Sequence, residues 1–433
     1  MNTADISCTH PMAKQASYFA RIAGVLARIL AATALLFALA YPVSAQETVT
    51  SKGQILGARI AGDDVRTRFV LDLSSEMTPV VSGLADPYRL ILDFSEVEFK
   101  LEGDAGNSGR GLVSNWRYGV FLAGKSRIVL DLTGPVSVDK MFVLPAVDNQ
   151  PVRFVLDLVK SNPAEYSEFV EKAREASRSK TAATNGKADR LTDAKTDDRP
   201  LIVLDPGHGG IDSGAVGIKG TLEKAVVLDF SSLLKRKLEE TGQFQIKLTR
   251  EDDTFIALRD RVRFAHDAEA DLFVSIHADS VRRGRKLVRG ATVYTLSENA
   301  SDDLAAELAE SENMSDIIAG VELHDEPEEV TNILLDLARR ETRNFSVLFA
   351  RTLVEELKSA VRVIKNPHRS AGFKVLKAHD IPSALVELGY LSNEHDEKLL
   401  RSEEWRERMA DAMVAAIETY FRPQLAQQAS SPG

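Results

Sequence analysis

The chain is 433 residues long, 44% hydrophobic and 27% charged, with a formal net charge of −10 at pH 7. A single hydrophobic core rarely grows past roughly 250 to 300 residues, so more than one domain is expected. The acidic balance argues against a nucleic-acid partner, whose phosphates demand a basic surface, and the single cysteine, Cys8, excludes a disulfide framework.

Residues 1–45 read as an export signal. Arg21 and Arg28 precede an apolar stretch over residues 29–40, and Val43-Ser44-Ala45 supplies the small-x-small pattern of a signal-peptidase site. That stretch is too short for a membrane span, which takes about 20 apolar residues. No arginine pair precedes it, so export of the unfolded chain is expected rather than a twin-arginine route. Cleavage would remove Cys8 with Lys14, Arg21, Arg28 and Asp5, leaving 51 basic (54 − 3) and 63 acidic (64 − 1) residues and a net charge of −12.

Residues 50–160 predict a small all-β, sandwich-like domain. A short phrase recurs there: RTRFVLDLS at 66–74, YRLILDFSE at 88–96, SRIVLDLTG at 126–134 and VRFVLDLVK at 152–160. Each is apolar and β-branched and bounded by Gly, Pro or Ser, as a strand should be, while the uneven spacing excludes a solenoid. Asp72, Asp93, Asp131 and Asp157 stand at the same place in each phrase and are read as strand-end chemistry rather than a calcium or sugar site. No catalysis is expected in this domain. Residues 161–199 then lose the apolar pattern in a mixed-charge tether whose first third is helical.

From residue 200 strands and helices alternate. Strands are predicted at 201–205, 245–249 and 271–276, and helices at 224–241 and 257–268. One helix carries Val227, Phe230, Leu234 and Leu238 on a single face, the other Leu258, Val262 and Ala265. Later strands are predicted at 291–296, 373–377 and 383–388, before a closing helix with Trp405, Met409, Met413, Ile417 and Tyr420. The pattern predicts an α/β domain over 200–423, a mostly parallel sheet covered by helices, with a disordered tail over 424–433.

Ligand sites in such sheets lie beyond the carboxyl ends of the strands. The first strand ends in DPGHGG, where glycines permit tight turns and leave His208 on a loop. Alone, it fits a solvated histidine as well as a ligand. SIHAD places His277 directly after the strand at 271–276, so two imidazoles can face one crevice. They call for a carboxylate, because zinc hydrolases commonly use two His and one Glu and leave a fourth position for water. Glu223, opening a helix after Gly217 and Gly220, is the candidate, although the helix dipole by itself favours a first-turn glutamate. Glu387 interrupts the apolar run SALVELGYLSN, which is costly unless the acid is functional or paired. It suits a general base, with an arginine-paired glutamate as the alternative. His324, His368 and His395 lie in polar stretches and are read as solvated, and His266 and His379 as surface residues.

In this order, DPGHGGIDSGAVG, Glu223, SIHAD and RSAGFKVLKAHDIPSALVELGYLSN resemble the zinc-dependent N-acetylmuramoyl-L-alanine amidases of bacterial cell-wall hydrolysis, over roughly residues 200–422. The resemblance implies that His208, Glu223 and His277 bind Zn2+ and that Glu387 is the catalytic acid/base. It also implies the scissile bond, the amide between the lactyl group of N-acetylmuramic acid and L-alanine of the peptidoglycan stem peptide. Ser213, Asp279 and Tyr390 stand where the family frequently has proline, asparagine and phenylalanine, which bears on substrate preference and not on the metal ligands. Residues 55–160 are similar to the AMIN domain that precedes such amidases in Gram-negative bacteria, which implies a periplasmic enzyme targeted to the wall or division site.

Residues 297–341 interrupt the α/β pattern. Over 298–341 the sequence holds 14 acids against Arg339 and Arg340, a local charge of −12. Leu304, Leu308, Ile317 and Ile318 offer a partial apolar face, and Val330, Leu334, Leu337, Phe345, Leu348, Thr352 and Leu357 form one stripe of a long helix. The segment resembles the regulatory insertion of division-associated amidases, whose helix covers the zinc until an activator displaces it. The expectation is that Glu310, ahead of Glu307, takes the open position and that the activator is LytM-like. Two other functions fit parts of the pattern. A non-catalytic peptidoglycan-binding adaptor should lack at least one of His208, Glu223, His277 and Glu387. A zinc carboxypeptidase acting on the stem peptide would share those groups and differ in its products.

Overall fold

The computed structural model describes residues 52–430 apart from 102–108, 123, 149, 182–196, 198, 282–286 and 322–332. The export segment, most of the tether, and His324 and Val330 of the insertion lie outside the described residues.

The β domain is built from two sheets. One has the order β5 (Val97–Phe99), β1 (Gly53–Gly62), β2 (Arg66–Leu73), β9 (Val152–Lys160), β8 (Val136–Leu144); the other runs β3 (Val80–Ala85), β4 (Tyr88–Ser95), β7 (Lys125–Leu132), β6 (Val113–Leu122). Because side chains alternate along a strand, Leu90, Leu92, Phe94, Ile128 and Leu130 of the smaller sheet enter a core with Phe69, Leu71, Phe154 and Leu156 of the larger. The intervening Arg, Ile or Val and Asp of each phrase face outward. Antiparallel register sets Arg89 opposite Asp131 and Asp93 opposite Arg127, and both pairs close as salt bridges, at 2.7 and 2.6 Å. The larger sheet repeats the device with Arg68 and Asp157 at 2.6 Å. Asp93, Asp131 and Asp157 are thus cross-strand partners of the phrase's arginines, while Asp72 pairs with Arg59 of β1 at 2.8 Å. Helix α1 (Pro163–Thr181) covers one end of the core with Tyr166 and Val170.

The second sheet system has the order β11 (Gln245–Leu248), β10 (Leu201–Pro206), β12 (Leu272–His277), β15 (Ser383–Glu387), β13 (Ala291–Leu296), β14 (Val363–Ala371). All neighbours are parallel except β13 and β15. Every residue of β10, β12 and β15 is buried, as a parallel sheet covered on both faces requires. On one face α2 (Glu223–Glu240), α6 (Ile333–Ala360) and α8 (Glu403–Ser430) pack Phe230, Phe349 and Met413 against Ile202, Val274 and Val386. On the other, α3 (Leu258–Asp267) and α4 (Asp303–Asn313) bring Ala265 and Leu308 to Val203, Phe273 and Leu385.

Three expectations need correction. The segment expected as a strand at 373–377 is a single 3-10 turn, Lys374–Leu376, and the sheet's last strand is β14 instead. Its sequence VIKNPHRSA has no apolar alternation because it is an edge strand, where Pro367 and charges are tolerated. The long helix exists, but its buried face is Phe349, Ala350, Leu353, Val354 and Leu357, whereas Phe345 and Leu348 are exposed. Of the expected stripe Leu357 is buried, and Phe345 and Leu348 depart from it because the helix turns toward both the sheet and α8. Finally, α8 continues to Ser430, past the boundary expected at 423.

Candidate metal centre

The crevice lies at the carboxyl ends of β10, β12 and β15. Beneath it sits a buried polar foundation. Asp205 of β10 pairs with Arg261 of α3 at 2.8 Å and accepts from Thr249 Oγ1 at 2.6 Å and Ser275 Oγ at 2.8 Å. Arg261 also donates to the carbonyls of Pro206 and His208, at 2.7 and 2.6 Å, and Arg250 to that of Gly207 at 2.8 Å. Three successive carbonyls of the loop are therefore anchored by guanidinium groups. That anchoring holds His208 at φ 59°, a left-handed conformation rare for a residue with a side chain. Gly207 must be glycine for a second reason, since a Cβ there would stand 2.3 Å from His277 Cε1.

His208 is aimed by its neighbour four residues on. Its Nδ1 lies 2.9 Å from Asp212 Oδ2, so Nδ1 carries the hydrogen and Nε2 presents its lone pair to the crevice. Burial would raise the Asp212 carboxyl, but His208 first, with Ser315 and the amide of Gly214, holds it down at about 2. His277 ends β12. Glu223 opens α2, fully buried, with Oε2 accepting from Ala215 N and Oε1 from Ala278 N, both at 2.8 Å. Burial alone would raise its carboxyl; the two imidazoles, His208 first, hold it well below the usual range.

A fourth group completes the cluster. Glu312 of α4, 3% exposed, puts Oε2 3.6 Å from His208 Nε2 and 3.1 Å from His277 Nδ1. Glu223 lies 3.2 and 3.3 Å from the same two nitrogens. His208 Nε2 and His277 Nδ1 are buried without a hydrogen-bond partner. Two unpartnered buried ring nitrogens and two carboxyl groups facing one point would be costly without a cation. A tetrahedral ion with bonds of about 2.0 to 2.1 Å has ligand edges of about 3.3 Å; the two ring nitrogens lie near that distance from Glu223 and Glu312 oxygens, and one ligand atom from each of the four residues lies within 4.8 Å of the others. His208, Glu223, His277 and Glu312 fit a four-coordinate metal.

Glu387 ends β15 directly beside His277 in the parallel register. Its Oε2 accepts from Asp279 N at 2.9 Å, while Oε1 is buried without a hydrogen-bond partner. Burial first, then the charge of Asp279, pushes its carboxyl well above the usual range. A carboxylate whose proton affinity is raised in this way is a better proton acceptor than a solvated one and can give the proton back.

The structure thus brings His208, Glu223, His277 and Glu387 to one place. It does not bring Glu310 or Glu307 into the cluster. Residues Ala305, Leu308, Ala309 and Glu312 form the buried face of α4, while Glu310 is exposed and Glu307 half-buried. The helical spacing from Leu308 was the signal that points to Glu312, four residues on. Asp212 and Ser315 were also missed. Among the other histidines, His266, His379 and His395 are exposed, and His368 is half-buried with Nε2 3.1 Å from Thr295 Oγ1.

The chain matches the family described as N-acetylmuramoyl-L-alanine amidase over residues 202–419 and the AMIN domain over 57–158. It is 31% identical over 392 residues to the N-acetylmuramoyl-L-alanine amidase AmiC of Escherichia coli O6:H1, covering 87% of this chain and 91% of that protein. The chain belongs to the N-acetylmuramoyl-L-alanine amidase family. A second relative of this amidase, AmiC of Neisseria meningitidis serogroup B, is 31% identical over 398 residues, 89% of this chain and 94% of its own. Among solved structures, AmiC2 of Nostoc punctiforme is 31% identical and covers 52% of this chain and 97% of its own, with a TM-score of 0.35. No helix among the amidase's described residues is long and apolar enough to cross a membrane.

Proposed function

We propose that the chain is a zinc hydrolase that cleaves the amide between the lactyl group of N-acetylmuramic acid and L-alanine of peptidoglycan stem peptides, and that it rests in an inhibited state. The observation that carries this reading is the buried cluster of His208, Glu223, His277 and Glu312. Three of its members come from the sheet-end loops and α2, and the fourth from the acidic insertion.

His208, Glu223 and His277 would hold the ion. Bound zinc supplies a Lewis acid and a water of lowered pKa. Glu387, with Oε1 unengaged, takes the proton of the attacking water and returns it to the leaving amine. Glu312 fills the corner that water or substrate must occupy, so hydrolysis requires α4 to withdraw. The apparent export signal and the AMIN domain support a periplasmic enzyme working on the wall at the division site, with a LytM-like protein as the activator that displaces the insertion.

Mass spectrometry of digested sacculi tests the activity. An amidase leaves peptide-free glycan and intact stem peptides, a carboxypeptidase releases a terminal amino acid, and an adaptor binds without cutting. Glu387→Gln should abolish product and retain metal. For the inhibited state, a folded protein lacking residues 298–328 should hydrolyse sacculi faster than the parent without an activator; an unchanged rate refutes it.

A further inference from the structure

We propose that the outer face of the four-stranded AMIN sheet is a receptor for the carbonyl end of the blocking segment, so that the AMIN domain latches the metal centre shut. The proposal rests on the reading that Glu312 blocks the site.

After α4 the chain forms one more helical turn, α5 (Ser315–Ile318), and then ends its helical run. The last carbonyls of a helix lack successors to bond and carry partial negative charge. Here three arginines of adjacent AMIN strands meet them. Arg89 of β4 donates to the carbonyl of Ile317. Arg117 of β6 donates to that of Ile318 at 2.6 Å, and Arg127 of β7 to those of Ala319 and Gly320, both at 3.0 Å.

The receptor is preset. Asp131 holds Arg89 and Arg117, and Asp93 holds Arg127. Arg127 also lies 3.4 Å over the ring of Phe121. Guanidinium groups already fixed by carboxylates lose little freedom when a carbonyl arrives. Between them Ile91 and Val129, paired in register, form an apolar seat with Ala319. The seat admits only a small residue next, because a Cβ on Gly320, whose φ is +70°, would meet Ile91 Cδ1 at 3.0 Å.

The same short segment reaches the metal centre from its other end. Glu312 completes the cluster, Ser315 donates to Asp212, and Asp316 accepts from Leu258 N at 2.8 Å. The AMIN face also touches the ligand loop itself: Ile211 shares the cluster of Ile91 and Val129, and Phe121 stacks on Phe255 at 5.9 Å. Residues 312–320 therefore plug the site at one end and are gripped at the other. By linkage, anything that occupies the arginine face favours the open site, and opening frees that face.

The test uses the full chain with Arg117→Ala and Arg127→Ala on the AMIN side and Ala319→Asp on the opposite side of the contact. Hydrogen exchange of residues 303–320 and dye release from labelled sacculi without activator are read together, with Glu312→Ala as reference. Each latch variant should speed exchange there and raise basal release roughly tenfold, the effect of losing one charged hydrogen bond, with no further rise in a Glu312→Ala background. Agreement between Ala319→Asp and the arginine variants excludes a misfolded AMIN sheet as the cause. If Glu312→Ala activates while all latch variants exchange and hydrolyse as the parent does, the latch is overturned and the blocking reading stands. If neither Glu312→Ala nor any latch variant raises release, both fall.

Discussion

Ser315, in the insertion, donates its hydroxyl to Asp212, the carboxylate that orients His208. The insertion is thus tied to the group that aims one member of the buried cluster. The two residues should separate by substitution. Ser315→Ala should raise unstimulated hydrolysis of sacculi and leave metal content unchanged. Asp212→Asn should weaken metal binding by roughly 10- to 100-fold, as loss of an orienting partner does, measured by competition with a chromogenic chelator.

The two faces of α4 make opposite predictions. Glu310 is exposed, and exposed charges contribute little, so Glu310→Gln should leave the basal rate as it is. Glu312→Ala should raise it if, as proposed, that carboxylate fills the metal's fourth position. Equal rates for the two variants would contradict the assignment of Glu312.

Stability should hinge on Asp205. It and Arg261 are both buried, with the carboxylate fully bonded. Removing one partner of a buried pair leaves an uncompensated charge and costs about 3 to 5 kcal/mol. Asp205→Asn should therefore lower the urea midpoint well beyond the effect of a surface substitution. Burial would raise the Asp205 carboxyl, but Arg261 leads the groups that hold it below its ordinary value. A depressed pKa contributes stability that is complete above the unfolded value of about 3.9 and is lost as pH falls through the folded one. Below about pH 4 the parent should lose stability more steeply than Asp205→Asn.

Metal removal should be visible in melting. The four facing ligands are bound in the folded chain only, so zinc at 100 times its Kd stabilises by about 2.7 kcal/mol. Chelator-treated protein should melt lower and recover on zinc addition. Chelator-insensitive melting of a protein shown to lose its metal would contradict the tetrahedral fit.

Much of the catalytic half was legible because its chemistry sits where local patterns change. His208 and His277 stand at the ends of apolar strands, Glu387 ends another, and Glu223 opens a helix after glycines, so strand and helix ends marked them as candidates and the resemblance of the combined motifs implied their roles. β14 was not legible, since an edge strand need not bury an alternating face and its sequence carries Pro367 and charges. The aspartates of the recurring AMIN phrase were visible as a repeat, but their arginine partners were set by which strands pair.

The chain's own order of residues determined the two domains, the alternation of the sheet, and three of the four members of the buried His208, Glu223, His277 and Glu312 cluster, because each depends on periodicities within a few turns or strands. Tertiary structure decided the fourth member. Glu307, Glu310 and Glu312 share one helix and one composition, and only the docking of Leu308 against Phe373 and its neighbours rotates Glu312 inward. It alone also set Arg89, Arg117 and Arg127 on the carbonyls of residues 317–320, a contact across about half the chain that no local propensity encodes.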